Sequence, residues 1–287
     1  MTRLIPVTCC ILFAGAAVTR GEGPGHFATL DGARVHYESY GTGKQAVVFI
    51  HGWTCDLTFW RAQAPVYEKR RSLLIDLPGH GASEKPEISY TQELFARAVD
   101  AVMRDAGVEK ATLVGHSMGT PVSLTYLRRY PEKVAGFVIV DGLIPEPPKD
   151  DAEKQKKAAQ AAEMSKMYRS PDYKNAFNRM LEFMFTEQTP AALRAEISAK
   201  MLATPQYVVA SAIEGMLALE PLANARFTVP VMAIMVKRPW QAGYQDFLRN
   251  MFPNLRVYQA WEGAGHFLMM EQPERFNTAL AEFLDRQ

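Results

Sequence analysis

Cysteine is scarce in this chain: its 287 residues include three, and two of them lie in the apolar N-terminal segment. That segment, residues 1–20, is typical of a secretory signal peptide, with a short cationic start, an apolar stretch and small residues. Once it is removed only Cys55 remains, which excludes an internal disulfide. We therefore expect a secreted or periplasmic protein with a bacterial-type signal peptide, and an uncleaved N-terminal anchor is the alternative.

The chain also lacks an excess of charge of either sign and a long apolar run. Its 32 basic and 31 acidic residues leave a net charge of +1 without a basic stripe, which argues against nucleic acid as a partner. The N-terminal apolar run is shorter than the roughly 20 residues that cross a bilayer, so we expect no stable membrane span in the mature form. The oligomeric state is not indicated by any pattern.

The rest of the chain alternates between apolar strand patterns and helical patterns, which is typical of an α/β protein with a mostly parallel, doubly wound sheet. Between residues 146 and 225 strand patterns stop and four helical patterns follow one another, so a helical cap is expected there. The expected core is residues 21–145 and 226–287. The eight expected strands are residues 27–30, 33–40, 46–50, 72–76, 111–114, 136–141, 229–236 and 255–261.

Residues 115–119 read Gly-His-Ser-Met-Gly and join an apolar strand pattern to a helical pattern. This Gly-x-Ser-x-Gly arrangement is typical of a nucleophile elbow, a tight turn that holds the serine above the end of a sheet. A side chain at Gly115 or Gly119 is expected to collide with the neighbouring strand and helix. We predict Ser117 as a nucleophile; an idle serine in a glycine-rich turn is the alternative.

A serine nucleophile requires a base, and imidazole is the usual one because its pKa lies near neutrality. His266 follows the last strand pattern in a flexible loop, and loops after parallel strands open on the same sheet edge as the elbow. His266 is therefore the predicted base. The oxyanion of acyl transfer needs two donors, and we expect the backbone N–H groups of Met118 and Trp53, with Gly52 allowing a close approach.

The third member of the triad should be a carboxylate that orients the imidazole. The position after the penultimate strand, residues 237–240, reads Lys-Arg-Pro-Trp and has no acid, and two bases there should repel an imidazolium. Asp141, at the carboxyl end of the strand that follows the elbow helix, is the predicted acid. Asp246 is the alternative, followed by Glu262 and Glu146.

Four ordered motifs together resemble the α/β-hydrolase superfamily, in particular its serine esterase-like members with a helical cap. The resemblance covers about residue 27 to the C-terminus and implies Ser117 as nucleophile, His266 as base, and Trp53 and Met118 as oxyanion donors. It implies neither a metal nor an organic cofactor. An acid at Asp141 is similar to the arrangement of some dehalogenase relatives, although those carry an aspartate nucleophile. The motifs are His51-Gly52-Trp53, Asp76-Leu77-Pro78-Gly79-His80-Gly81-Ala82-Ser83, residues 115–119 and Gly265-His266.

The expected function is hydrolysis of a carboxylic ester of small to medium size and apolar character through an acyl-enzyme. The same groups serve lactones, thioesters, amides or carbon–carbon bonds, and a degenerate hydrolase that only binds a ligand is the alternative from another class. A few apolar cap residues should line the pocket above Ser117, whereas most pack helix on helix. The candidates are Met164, Met167, Met180, Met184, Met201, Met216, Tyr168, Tyr173, Phe177, Phe183 and Phe185.

Overall fold

The structure, a computed structural model, describes residues 25–222 and 224–287. The expected signal peptide, residues 1–20, lies outside the described residues. The strands of the described chain are β1 (Gly25–Leu30), β2 (Ala33–Tyr40), β3 (Gln45–Ile50), β4 (Ser72–Ile75), β5 (Lys110–His116), β6 (Val134–Val140), β7 (Val231–Val236) and β8 (Leu255–Trp261).

These strands form one eight-stranded sheet in the order β1-β2-β4-β3-β5-β6-β7-β8. β1 and β2 pair antiparallel through a hairpin, β2 pairs antiparallel with β4, and every later pairing is parallel. The central strands are apolar along nearly their whole length and are buried, as expected for parallel strands that are covered on both faces. The predicted α/β class and the mostly parallel sheet are confirmed.

Helices connect the parallel strands and flank the sheet. Among the described residues they are α1 (Ala64–Tyr67), α2 (Gln92–Asp105), α3 (Gly119–Arg129), α4 (Asp151–Arg169), α5 (Tyr173–Met184), α6 (Ala191–Leu202), α7 (Gln206–Leu217), α8 (Tyr244–Met251), α9 (Leu268–Glu271) and α10 (Pro273–Leu284). Helices α4 to α7 lie between β6 and β7 and are called the cap helices below. No helix of the described chain is both long and apolar enough to cross a membrane.

The loop after β4 is fixed by the carboxylate of Asp76, which explains the structural part of one of the four motifs. Asp76 Oδ1 accepts a hydrogen bond from the Leu57 N–H at 2.8 Å, and Oδ2 accepts from the Ala82 N–H at 2.9 Å and from His36 Nδ1 at 2.8 Å. Gly81 has φ +47°, and a Cβ there would collide with the Asp76 carboxyl group. The carboxylate in this motif therefore shapes the loop.

Two short stretches beside the site were not predicted from the sequence. A 3-10 turn, Leu57–Gln63, runs into α1, and the four-residue helix α9 follows the histidine loop. Both are too short to show a helical apolar period of their own, and they contact each other instead. Their apolar residues are buried against the sheet core, where Phe59 and Phe267 have ring centroids 5.7 Å apart.

Candidate active site

The candidate site lies at the carboxyl edge of the sheet, where the loops after five neighbouring strands meet. Trp53 follows β3, Ser117 follows β5 and Asp141 follows β6. Arg238 and His266 come from the loops after β7 and β8. Because parallel strands end at one edge, residues far apart in the sequence line a single cavity there.

Ser117 stands on a strained turn directly after β5. Its φ is +49°, a left-handed value that side chains other than glycine rarely adopt, and strain of this kind is common at functional sites. The turn is held by the Ser117 N–H, which donates to Val140 O at 3.0 Å, and by Ser117 O, which accepts from the Thr120 N–H at 3.0 Å. This is the geometry of the elbow that the sequence predicts.

The glycines that flank Ser117 permit this turn. A Cβ at Gly115 would collide with Gly119 O and lie 2.8 Å from Ser123 Oγ in α3. A Cβ at Gly119 would collide with Ile50 O, at the end of β3. The expected steric conflict with the neighbouring helix and strand is therefore present in the backbone geometry.

His266 is held on its ring and on both sides of its backbone. Its Nδ1 lies 2.6 Å from Asp141 Oδ2. Its N–H donates to Met184 O, at the end of α5, at 2.7 Å, and its C=O accepts from His116 Nε2 at 2.9 Å. These bonds fix the ring with Nδ1–H towards the carboxylate, which leaves Nε2 as the free basic nitrogen.

Asp141 is a fully buried carboxylate with two donors on each oxygen. Oδ1 accepts from the Val236 N–H at 2.9 Å and from Arg238 Nη1 at 2.8 Å; Oδ2 accepts from Arg238 Nη2 at 2.8 Å and from His266 Nδ1. Burial would raise the pKa of this carboxyl, but the bonds from His266 and Arg238 outweigh it and hold the pKa well below its usual range. Asp141 is therefore ionised whenever the protein is folded near neutral pH. Its own φ is +42°.

The two basic residues after β7 do not act as the sequence suggests. Arg238 forms a bidentate ion pair with Asp141 and does not simply repel the imidazole. Lys237 binds Glu262 Oε1 at 2.5 Å, and both of these side chains are exposed. The charge at residues 237–240 was visible in the sequence, but its partner was not, because that partner comes from another strand.

The structure does not bring the other candidate acids to His266. Asp246 is exposed on α8, Glu146 is exposed before the cap helices, and Glu262 is occupied by Lys237. None of the three lines the cavity that contains His266. Of the carboxylates considered, Asp141 is the one that contacts the imidazole.

The two expected oxyanion donors lie on adjacent loops. A Cβ at Gly52 would come within 3.2 Å of Ser117 Cβ and 2.9 Å of His116 Nδ1, so the backbone before Trp53 passes directly beside the elbow. Among the described residues, neither the Trp53 N–H nor the Met118 N–H donates a hydrogen bond. Neither N–H group is therefore committed to another group of the described residues.

Trp53 also ties its loop to the cap helices. Its indole Nε1–H donates to Val209 O in α7 at 3.0 Å. Its ring packs edge-on against Tyr168 and Phe177, with centroids 5.1 Å and 4.9 Å away. The loop that carries Trp53 is thus held by the cap helices as well as by the sheet.

Ser117 and His266 both face a cavity of about 300 Å³ between the sheet edge and the cap helices. The Ser117 hydroxyl forms no hydrogen bond with the described part of the chain. Such contacts are often loose before substrate binds and tighten in the complex. Both groups are half-buried, so they can be reached from the cavity.

The part of the cavity next to the cap helices is lined by apolar side chains, including several methionines. Of the aromatic and methionine residues named from the sequence, Met180, Phe183, Met184, Met201 and Met216 line it, together with Leu143 and Ile213. The other candidates, Met164, Met167, Tyr168, Tyr173, Phe177 and Phe185, are not among its lining residues and pack against the core. The mixed outcome agrees with the expectation that only a few of them face the ligand.

Three further histidines near the site are buried, and burial lowers their pKa values. Burial lowers the pKa of His116 to about 3, of His80 to about 3, and lowers that of His51. His116 donates to the backbone of His266, a positioning role that its place in a glycine-rich turn gave no means to foresee. His51 binds Gly52 O through Nδ1 at 2.8 Å and accepts from the Leu77 N–H through Nε2 at 3.0 Å.

Comparison with known proteins identifies the family. The model of the alpha/beta hydrolase fold family matches residues 45–273. A thermophilic esterase from Thermogutta terrifontis has a TM-score of 0.78 with 23% identity, and the match covers 91% of this chain and 98% of that one. An enol-lactonase from Burkholderia xenovorans has a TM-score of 0.75 with 21% identity over 91% of this chain and 100% of that one.

Curated relatives match over a shorter stretch. The dihydrolipoyllysine-residue acetyltransferase component of the acetoin cleaving system of Cupriavidus necator is 36% identical over 115 residues, which are 40% of this chain and 31% of that protein. The chain thus spans about a third of that relative's length, and the two structural matches show a shared fold. With a family match over most of its length, the chain belongs to the alpha/beta hydrolase fold family.

Proposed function

We propose that the protein is a serine hydrolase that cleaves carboxylic esters of small to medium apolar substrates through an acyl-enzyme. Membership of a hydrolase family supports the general reaction class. The observation that carries the proposal is the 2.6 Å contact between His266 Nδ1 and the ionised Asp141 carboxylate, in the cavity that also holds Ser117. A carboxylate in this place selects the imidazole tautomer whose Nε2 can take a proton.

In the proposed first step, His266 Nε2 takes the hydroxyl proton of Ser117 as Oγ attacks the ester carbonyl carbon. The carbonyl π electrons move to oxygen, and the Trp53 and Met118 N–H groups stabilise that oxyanion. When the intermediate collapses, the alkoxide leaves with the proton from His266 and an acyl-serine remains. Water then attacks the acyl group, His266 takes one of its protons, and the acid is released as Ser117 is reprotonated.

The cavity supports an apolar substrate. Its volume of about 300 Å³ is at the small end of ligand pockets, and its upper wall offers methionine, phenylalanine and aliphatic surface. Methionine side chains adapt to ligands of different shape. The charged groups of the cavity, Asp141 and Arg238, are bound to each other, so they do not favour a charged acyl group.

Labelling with a fluorophosphonate probe tests the nucleophile. The wild-type protein should be labelled once per chain, whereas S117A should not be labelled at all. S89A, which removes an exposed serine, is the matched control and should be labelled as the wild type is. A folded wild-type protein that resists the probe would favour the alternative that this fold is kept for ligand binding.

A panel of p-nitrophenyl esters of increasing acyl length, with lactones and thioesters beside it, tests the bond type. We expect the highest kcat/KM among esters with short to medium acyl chains. The same catalytic groups can act on carbon–carbon bonds and amides, but these substrates have poorer leaving groups. They therefore form the second part of the panel. Faster turnover of a lactone than of every ester would move the proposal to that class.

The proposed division of the chain is a core of residues 21–145 and 226–287 with a cap of residues 146–225, and the proposed location is secreted or periplasmic. The location rests on the signal-like sequence of residues 1–20. Intact mass measurement on protein from the periplasm and the medium tests it. A mass that still includes residues 1–20 would favour the uncleaved anchor.

A further inference from the structure

Arg238 binds the same carboxylate as His266. It lines the substrate cavity and uses two nitrogens of its guanidinium group on the same carboxylate that holds His266. Arg238 Nη2 and His266 Nδ1 bind one oxygen, Oδ2 of Asp141. The base, the acid and a permanent cation are therefore directly linked.

We propose that Arg238 is a positioning residue, which aims the Asp141 carboxylate at His266 and offsets part of its negative charge beside the imidazole. This inference rests on the proposed serine hydrolase function, because it concerns the base of that reaction. The sequence alone suggested that Arg238 would only repel an imidazolium, whereas the proposal gives its guanidinium group a role in holding the Asp141 carboxylate.

The positioning part follows from geometry. A guanidinium group that binds a carboxylate through two parallel bonds fixes the plane of that carboxylate. The Val236 N–H completes the set by binding Oδ1. With Oδ1 occupied twice and Oδ2 occupied once, the remaining acceptor direction of Oδ2 is left for His266 Nδ1. Loss of the guanidinium would free the carboxylate to rotate about its side-chain bonds.

The charge part follows from Coulomb's law at short distance. An isolated carboxylate beside His266 favours the imidazolium form and makes the base hold its proton more tightly. Arg238 adds a positive charge on the same oxygen, which opposes that effect. The Asp141 side chain is 0% exposed and that of Arg238 is 24% exposed, so water screens this charge only in part.

Other ionisable groups face His266 and must be separated from Arg238 in any test. The ring of His116 lies tilted at 45° against that of His266 with centroids 4.7 Å apart, but burial lowers the pKa of His116 to about 3, so it is neutral in the working range. Glu271 in α9 accepts from the Gly265 N–H at 2.7 Å, and burial raises its pKa. The Ser117 hydroxyl and the Asp141 carboxylate complete the surroundings from β5 and β6. Glu271 is the group that could imitate the expected effect.

The test compares the pH dependence of kcat/KM in the wild type, R238M, R238K and K237M. R238M removes the charge and both bonds, and its acid limb should move up by about 1 pH unit, with a plateau about tenfold lower. R238K keeps the charge with poorer geometry, so its plateau should fall while its acid limb stays within about 0.3 unit. K237M removes the neighbouring exposed charge and should match the wild type in both respects.

A second measurement does not depend on turnover. In S117A, the ring Hε1 signal of His266, identified by its loss in H266Q, is followed by NMR against pH. Adding R238M should raise the titration midpoint of this signal by about 1 unit, and E271Q should not abolish the difference. If R238M does not fold, R238Q carries the same expectation, since it is neutral and similar in length.

The two measurements separate failure of this inference from failure of the proposed function. A wild type that hydrolyses esters, with equal His266 midpoints with and without Arg238, would overturn the role of Arg238. A shift of equal size in K237M would overturn it too, because the effect would then be one of general charge. A wild type that hydrolyses no ester, with the expected NMR shift, would overturn the function and leave the Arg238–Asp141–His266 linkage standing.

Discussion

Replacement of Asp141 by asparagine tests the proposed triad most directly. Each oxygen of Asp141 accepts two hydrogen bonds, and all four donors are N–H groups. An asparagine side chain has one acceptor oxygen and one NH₂ group. Whichever way it turns, the NH₂ group meets two donors and leaves either His266 or the Val236 N–H without an acceptor.

The expected loss follows from this count. If the amide oxygen turns to Val236 and Arg238, the NH₂ group faces His266 Nδ1, which must then give up its proton and carry it on Nε2, the wrong nitrogen. We expect kcat for p-nitrophenyl acetate to fall about 10²- to 10⁴-fold, or about 2.7–5.5 kcal/mol of transition-state stabilisation. KM should change little, because the Asp141 side chain is 0% exposed and we expect no direct contact with the ester.

Folding must be measured beside activity, since Arg238 would lose its ionised partner. Breaking a wholly buried pair costs about 3–5 kcal/mol, and the cost here should be near or below the lower end. Arg238 has an exposed fraction of 24% and can reach water. Urea unfolding of the purified variant gives this number independently of turnover.

D246N is the matched control, because it makes the same substitution on the exposed face of α8. It should retain kcat within about twofold, as expected of an exposed substitution away from the site. If D141N also keeps kcat within tenfold while folded, or if the two variants lose activity equally, Asp141 is not the acid of the reaction.

Three further predictions concern the oxyanion loop, the pocket and stability against pH. G52A places a methyl group against Ser117 Cβ and His116 Nδ1, so it should displace the Trp53 N–H. In a steady-state assay against wild type, kcat should fall about 10- to 100-fold with little change in KM. An unchanged kcat would show that the Trp53 N–H is not an oxyanion donor. M180W fills apolar cavity volume, so kcat/KM for a hexanoate ester should fall at least about tenfold, whereas kcat/KM for an acetate ester should change less than about threefold. Equal losses for the two esters would mean that Met180 does not border the acyl group. Burial lowers the pKa of His80 to about 3 from 6.5, so below pH 6.5 the unfolded chain binds a proton that the folded chain does not. As the pH falls from 6.5 to about 3, the free energy of unfolding should therefore decrease by up to about 1.4 kcal/mol per pH unit because of this group. Urea unfolding at pH 7.5 and 5.0 should show a smaller decrease in H80Q than in wild type.

The positions of the strands and of the elbow could be predicted because they depend on local patterns. Residues 111–114 form a short apolar run, the glycines at 115 and 119 mark a turn, and a helical pattern follows. Parallel strands then place everything that follows them at one edge. That rule was enough to bring Ser117, Asp141 and His266 into one hypothesis across 149 residues of sequence.

Side-chain pairing between loops could not be predicted in the same way. Arg238 was visible as a charge, but whether it repels the imidazole or binds the carboxylate depends on angles that a sequence does not contain. His116 is similar, since its contact is with the backbone of a residue 150 positions away. The short helices beside the site also escaped, because one turn shows no period.

The bond from the His266 N–H to Met184 O has a consequence for engineering. Met184 is the last residue of α5, so the backbone of the proposed general base is hydrogen-bonded to the same segment that shapes the pocket. The Trp53 indole is hydrogen-bonded to α7 in the same way. Replacing the cap helices with those of a homologue would therefore remove the carbonyl acceptors of two hydrogen bonds, from the His266 N–H and from the Trp53 indole. A chimaera made to change selectivity must supply a carbonyl at each of these points, or it will lose turnover before it gains a new substrate.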